Sequence, residues 1–183
     1  MAHIVILGAG LGGFPASYEM RAALGKEHDV TLINATEEYH FVPSNPWLAV
    51  GWRTRQDITV PIRPYVEKRG INFIAQPVEQ IEPNENTLHL ANGEQVTYDY
   101  LVITTGPKLN FDAIEGFGPH KGYTHSVCTA EHAEQAYEAY KQFLDDPGPA
   151  VVGAAQGVSC FGPAYEFAGC LHHDLAKRKI RDR

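Results

Sequence analysis

Apolar residues fall along this chain in runs of three kinds. Continuous runs, several of them β-branched, recur at Ile4-Val5-Ile6-Leu7, Val30-Thr31-Leu32-Ile33, Ile71-Asn72-Phe73-Ile74-Ala75 and Leu101-Val102-Ile103. Such runs predict strands buried on both faces of a parallel sheet. Between the first two, residues 14–24 carry apolar side chains at helical spacing. Pro15 is tolerated there because the first turn of a helix has no N–H partner to lose. Residues 58–70 predict a short helix closed by Gly70. From Val78 to Tyr98 the period shortens to alternation. Thr87-Leu88-His89-Leu90 and Gln95-Val96-Thr97-Tyr98 flank Asn92-Gly93, a hairpin signal. The pattern as a whole predicts an α/β fold with a β-meander inserted between parallel strands.

The second half is read with the same signals. Residues 107–127 have little periodicity and predict a crossing segment. Residues 130–144 predict a helix with Thr129 as its N-cap, stopped by Asp146-Pro147-Gly148-Pro149. Ala150-Val151-Val152-Gly153 predicts a strand entering a second glycine turn, and a further helix begins near Pro163. Residues 39–47 hold too many prolines for a regular element and too many aromatics for an ordinary exposed loop. Two readings stand: a loop buried under the core, or one covering the planar ring of a cofactor.

Chemistry enters at the end of the first strand. Gly8-x-Gly10-x-x-Gly13 sits between a strand and a helix, the context that gives this spacing meaning. Gly8 serves the tight turn, Gly10 the close approach of a pyrophosphate, and Gly13 the packing of helix on sheet. The helix N-terminus adds free N–H groups and a positive dipole end. This is a Rossmann-like dinucleotide site. The end of the second strand, where an acidic residue usually takes the ribose hydroxyls, is Asn34. An amide also bonds a hydroxyl, and Glu37 and Glu38 just beyond read as solvated loop charges. The second glycine turn, Gly153 to Cys160, lacks the spacing of a nicotinamide-nucleotide site.

Composition narrows the classes. A formal net charge of −7, with no block of lysine and arginine, argues against a nucleic-acid partner. No apolar run approaches the ~20 residues of a membrane span. The first apolar run belongs to the Rossmann strand, so no signal peptide is expected. Three cysteines, Cys128, Cys160 and Cys170, fit neither a disulfide framework nor a zinc pattern. Cys160 lies in a glycine-rich turn before a helix, where the positive dipole end favours a thiolate. Cys128 precedes another helix, with His125 and His132 nearby, and a charged imidazole there favours a thiolate as well. Cys170, inside a helix, reads as buried and inert, and His172 with His173 as a solvated pair. No metal site is expected.

The layout resembles the two-dinucleotide-domain flavoproteins that include glutathione reductase. Thr104-Thr105-Gly106 is similar to their second flavin motif, with Thr104 in place of the usual alanine. Their early Cys-x4-Cys pair is absent. Phe41-Val42-Pro43-Ser44-Asn45-Pro46-Trp47, Thr105-Gly106-Pro107-Lys108-Leu109 and Ser159-Cys160-Phe161-Gly162-Pro163-Ala164-Tyr165-Glu166 resemble the bacterial sulfide:quinone oxidoreductases more closely. The resemblance implies a Rossmann-like FAD-binding domain over 1–115 with the inserted β-meander. Residues 116–183 would then start a second Rossmann-like domain, and the chain reads as the N-terminal part of a longer protein.

It further implies that FAD is held by Gly8, Ala9, Gly10, Gly12, Gly13, Asn34, Ala35, Val42, Pro43, Val78, Thr105 and Gly106. Sulfide and quinone would be the reaction partners. Cys160 would be the thiolate beside the flavin, Cys128 a sulfur shuttle, and His132 a group controlling protons or the thiolate. A further cysteine would lie beyond Arg183. Peripheral association with the bacterial inner membrane, through parts beyond this chain, and a homo-oligomer complete the implied picture.

Overall fold

The chain opens with β1 (His3–Leu7), α1 (Gly13–Leu24) and β2 (Asp29–Asn34), followed by β3 (Glu38–His40) and a short helix α2 (Asn45–Ala49). β4 (Thr59–Pro61), α3 (Arg63–Glu67) and β5 (Asn72–Ala75) come next. The meander is β6 (Val78–Glu82), β7 (Thr87–Leu90) and β8 (Gln95–Thr97), and β9 (Tyr100–Ile103) returns to the first sheet. Two long helices, α4 (Ala130–Asp145) and α5 (Gly162–Arg178), follow. This computed structural model describes residues 1–158 and 160–182. Its contacts group them into two units. One comprises Met1–His40 and Thr59–Lys108; the other comprises Phe41–Ile58 and the chain from Leu109 onward.

In the first unit the parallel sheet runs in the order β5-β2-β1-β9. The central strands are the most apolar, as a sheet covered on both faces requires. Val5, Ile6, Val30, Leu32 and Ile33 are fully buried. On one face Ile6, Val30 and Leu32 pack with Ile62, Val66 and Phe73, and with Phe14 and Tyr18 of α1. On the other, Val5, Leu7 and Ile33 meet Leu88 and Leu90 of the meander. β9 has one strand neighbour among the described residues, so Tyr100 and Ile103 stand exposed where a fully buried strand was expected.

Two further expectations change here. The predicted helix over 58–70 is a strand and then a helix. Thr59–Pro61 pairs antiparallel with β3, and α3 starts only at Arg63, with Pro64 in its first turn. The β-branched run Ile58-Thr59-Val60 takes the extended form, and each proline sits where no interior N–H is needed. The Tyr39–Trp47 stretch is also more regular than its prolines suggested. It contributes β3, a 3₁₀ turn at Val42–Ser44, and α2 with Pro46 in the first turn.

The second unit is helical. α2 buries Leu48 and Ala49 against Ala130, Ala133 and Ala136 of α4. Val50 packs with Tyr140 of α4 and with Cys170, Leu171 and Leu175 of α5. Contacts group 41–58 with the chain from Leu109 onward, and Leu48, Ala49 and Ile58 of that segment are buried with Ala130, Ala133 and Ala136. The strand expected at Ala150–Gly153 is not formed. Val151 is 97% exposed, and no described residue offers that segment a ladder partner.

Candidate functional site

The glycine turn is built by close backbone contact. Gly8 lies at φ +99° and its N–H donates to the Ile33 carbonyl at 2.8 Å, which joins the turn to β2. A Cβ on Gly8 would stand 2.7 Å from the Thr104 carbonyl oxygen, and one on Gly13 would stand 1.8 Å from the Gly8 carbonyl oxygen. Neither position has room for a side chain. Gly10 is the opposite case, since a Cβ there meets nothing within 4 Å. The turn thus packs tightly against the protein at both ends and is open in the middle.

Two side chains tie this turn down. Thr104 Oγ1 lies 2.9 Å from the carbonyl oxygens of both Leu7 and Gly8. Asn34 Oδ1 accepts the Ala9 N–H at 3.0 Å, while its Nδ2 donates to the Thr36 carbonyl at 3.0 Å. No side chain caps the start of α1, which begins at Gly13. Ala35 is exposed directly after β2, and Thr105 and Gly106 lie exposed directly after Thr104. Glu37 is engaged by Arg63 at 2.8 Å. Val78, at the start of β6, packs into the apolar layer beneath the meander. The first unit thus brings Gly8, Ala9, Gly10, Gly12, Gly13, Asn34, Ala35, Thr105 and Gly106 to one end of its parallel sheet.

The second unit carries the thiols and Val42 with Pro43, which lie exposed in the 3₁₀ turn before α2. Cys128 and Cys160 are exposed and unpaired, each two residues before the first residue of a long helix. The Cys128 N–H donates to Ser126 Oγ at 3.1 Å, and Thr129 Oγ1 caps α4 by accepting the His132 N–H at 3.1 Å. Ser159, beside Cys160, lies outside the described residues. Cys170 is buried, and burial, with Glu166 adding, pushes its thiol up from the ordinary range.

His132 lies in the first turn of α4 and points into the second unit. It is 6% exposed, its Nε2 lies 3.2 Å from Nε2 of His120, and its ring meets Phe111 edge-on. Burial and then the neighbouring His120 push its pKa down, against a smaller pull upward from Glu131. The ring is therefore neutral at neutral pH.

The sequence reading missed a second polar centre in this unit. Asp174 of α5 is buried, and its carboxylate accepts from Trp52 Nε1 at 2.9 Å, from the Tyr140 hydroxyl at 2.5 Å and from Arg178 Nε at 2.6 Å. The one available signal was the Asp174/Arg178 spacing, which places opposite charges on one helix face. The described residues hold no cluster of three or more metal-ligating side chains, and no helix among them is long and apolar enough to cross a membrane.

Comparison with known proteins adds four findings. The sequence pattern of the family described as pyridine nucleotide-disulphide oxidoreductase matches residues 2–159. The chain is 45% identical over 179 residues to the sulfide-quinone reductase of Aquifex aeolicus, covering 98% of this chain and 40% of that protein. The X-ray structure of the sulfide:quinone oxidoreductase from that bacterium superposes with a TM-score of 0.89 at 44% identity, over 99% of this chain and 41% of that one. A type II NADH:quinone oxidoreductase of Staphylococcus aureus is 28% identical over 163 residues, 83% of this chain and 40% of its own length. The chain spans about two fifths of the length of these relatives.

Proposed function

The chain belongs to the pyridine nucleotide-disulphide oxidoreductase family, and from that premise we propose that it is the FAD-binding part of a sulfide:quinone oxidoreductase. The carrying observation is the 45% identity to a sulfide-quinone reductase across 98% of the chain. Family membership implies a flavin. The open backbone at Gly10, flanked by contacts that exclude side chains, fits the pyrophosphate of a dinucleotide such as FAD. Gly8 to Gly13, with the start of α1, would hold the phosphates. Thr105 and Gly106 would hold the remainder. When bound, the flavin supplies a carrier for two electrons.

The thiols supply the sulfur chemistry. Hydrosulfide attacks the partner sulfur of a disulfide or trisulfide that Cys160 shares. The old sulfur–sulfur bond breaks, Cys160 leaves as the thiolate, and the partner sulfur carries the new atom. Cys128 passes sulfur onward. The balance is one hydrosulfide, one proton and one quinone giving one zero-valent sulfur and one quinol. A flavin held by Gly8 to Gly13, Thr105 and Gly106 would supply the acceptor for the two electrons, with the quinone as their destination. Both proposed thiols are exposed, as attack by an anion from solvent requires. Because His132 is held neutral, its role is to present a neutral imidazole rather than a cation. Peripheral membrane attachment, at the bacterial inner membrane, and a homo-oligomer belong to the same proposal.

The test is anaerobic flavin bleaching. Sulfide should bleach the absorbance of the FAD-loaded full-length enzyme, NADH should not, and Cys160→Ala in that enzyme should keep the flavin yet lose the response to sulfide. Bleaching by NADH alone would assign the chain to the NADH:quinone oxidoreductases instead. Normal sulfide bleaching in Cys160→Ala would remove Cys160 from the mechanism.

A further inference from the structure

We propose that Asn34 and Thr104 are positioning residues for the dinucleotide, and that they act by locking the single peptide unit between Gly8 and Ala9. The inference rests on the flavin reading above. The N–H of this unit belongs to Ala9 and donates to Asn34 Oδ1 at 3.0 Å. Its carbonyl belongs to Gly8 and lies 2.9 Å from Thr104 Oγ1. Both polar groups of one peptide are thus gripped by side chains. One comes from the last residue of β2 and the other from the residue after β9, the two strands that flank β1.

Each grip has its own backing. Thr104 is itself anchored, since its N–H donates to the Leu7 carbonyl at 2.8 Å. Its hydroxyl has one hydrogen for two carbonyls at equal distance, those of Leu7 and Gly8, so it bridges the end of β1 to the turn. Asn34 uses both ends of its amide. Oδ1 takes Ala9, while Nδ2 gives to the Thr36 carbonyl at 3.0 Å and lies 3.3 Å from Thr36 Oγ1.

An acid cannot do this. A carboxylate at 34 still accepts from Ala9, but its second oxygen would face the Thr36 carbonyl with no hydrogen between them. At this strand end an acidic residue ordinarily reads the ribose. Here the side chain is turned onto the loop instead.

The lock sets where the phosphates can go. With the Gly8–Ala9 unit fixed, Gly8 stays at φ +99°, Ala9 stays buried, and the chain emerges at exposed Gly10 with free space around it. A turn already in its bound shape loses less freedom when the ligand arrives, so the lock appears as affinity. The same bonds also satisfy buried backbone groups. The test must therefore separate holding the fold from holding the ligand.

FAD is titrated into the apo chain, flavin fluorescence reports the dissociation constant, and circular dichroism fixes a temperature at which each apo variant is folded. Thr104→Val keeps the shape and removes the hydroxyl, and should weaken FAD binding about tenfold, the scale of one lost hydrogen bond. Thr104→Ser should recover most of that loss. Asn34→Asp should also weaken binding about tenfold or more, although it restores the usual ribose-reading acid.

Equal or tighter FAD binding by Asn34→Asp would assign Asn34 to the ribose and overturn the lock. A Thr104→Val loss that Thr104→Ser does not recover would overturn the hydroxyl's part in it. The flavin reading fails separately, and takes the lock with it, if the unmodified apo chain does not bind FAD at all.

Discussion

The Tyr140 hydroxyl lies 2.5 Å from Oδ2 of Asp174, joining α4 to α5 through a carboxylate that is 4% exposed. Trp52 brings the 41–58 segment to the same group and Arg178 closes it. Burial pushes the Asp174 carboxyl up. The bonds from Tyr140, Trp52 and Arg178 together more than offset it and hold the group below the usual range. Tyr140 is driven well above its ordinary value by burial and by the same carboxylate. Asp174 is therefore ionised throughout the neutral range and serves as the junction of three chain segments.

Asp174→Ala should destabilise the protein by about 3–4 kcal/mol, because it leaves the Tyr140 hydroxyl and the Trp52 indole without an acceptor and Arg178 without its partner. Tyr140→Phe should cost about 2 kcal/mol, since the carboxylate keeps its other two donors. Urea midpoints report both. An Asp174→Ala loss below about 1 kcal/mol would show that water replaces the missing oxygens without strain.

His132 predicts a dependence on pH. Its folded pKa is held below the ordinary 6.5 by burial and by His120, while the unfolded chain titrates at the ordinary value. The unfolded state then binds the extra proton first as the pH falls. The stability His132 supplies is fully present above about 6.5 and is lost as the pH drops from there toward the folded value. His120 and Glu131 are the other titrating groups that act on it. The wild type should lose more stability between pH 7.5 and 5.5 than His132→Phe, which keeps an aromatic ring beside Phe111. Parallel profiles for the two proteins would refute the assignment.

What the sequence revealed and what it hid follow from the range of the interactions. β1, α1, β2 and the meander were legible because periodicity and turn residues are local. α2 was not, because Asn45-Pro46-Trp47-Leu48-Ala49 is helical only through Pro46 standing in the first turn and Leu48 and Ala49 being buried on α4. Asp174 was hidden for the same reason. Its donors Trp52 and Tyr140 are 122 and 34 residues away, and no local signal distinguishes it from a solvated helix acid. At the glycine turn the spacing gave the motif, and Thr104 stood out only as a departure from the usual alanine. The use of its hydroxyl needed the geometry of Gly8. That His132 is held neutral was hidden because its burial against Phe111 and His120 is tertiary.

The last prediction separates two glycines that the motif treats alike. A Cβ on Gly13 would sit 1.8 Å from the Gly8 carbonyl oxygen and 2.4 Å from Thr104 Oγ1, which are parts of the wall on which the turn is built. Gly13→Ala should therefore push α1 away from the sheet and lower the thermal midpoint with or without ligand. A Cβ on Gly10 meets no protein atom within 4 Å, so Gly10→Ala should fold with the midpoint of the wild-type apo chain. The added methyl would then occupy the space that the proposal gives to the pyrophosphate, and FAD affinity should fall about tenfold to a hundredfold, the scale of overpacking by one carbon, about 1–3 kcal/mol. Melting of the two apo variants and titration with FAD give both quantities. A Gly10→Ala protein with normal FAD affinity would place the phosphates elsewhere, and a Gly13→Ala protein with an unchanged midpoint would mean that the turn yields where its contacts say it cannot.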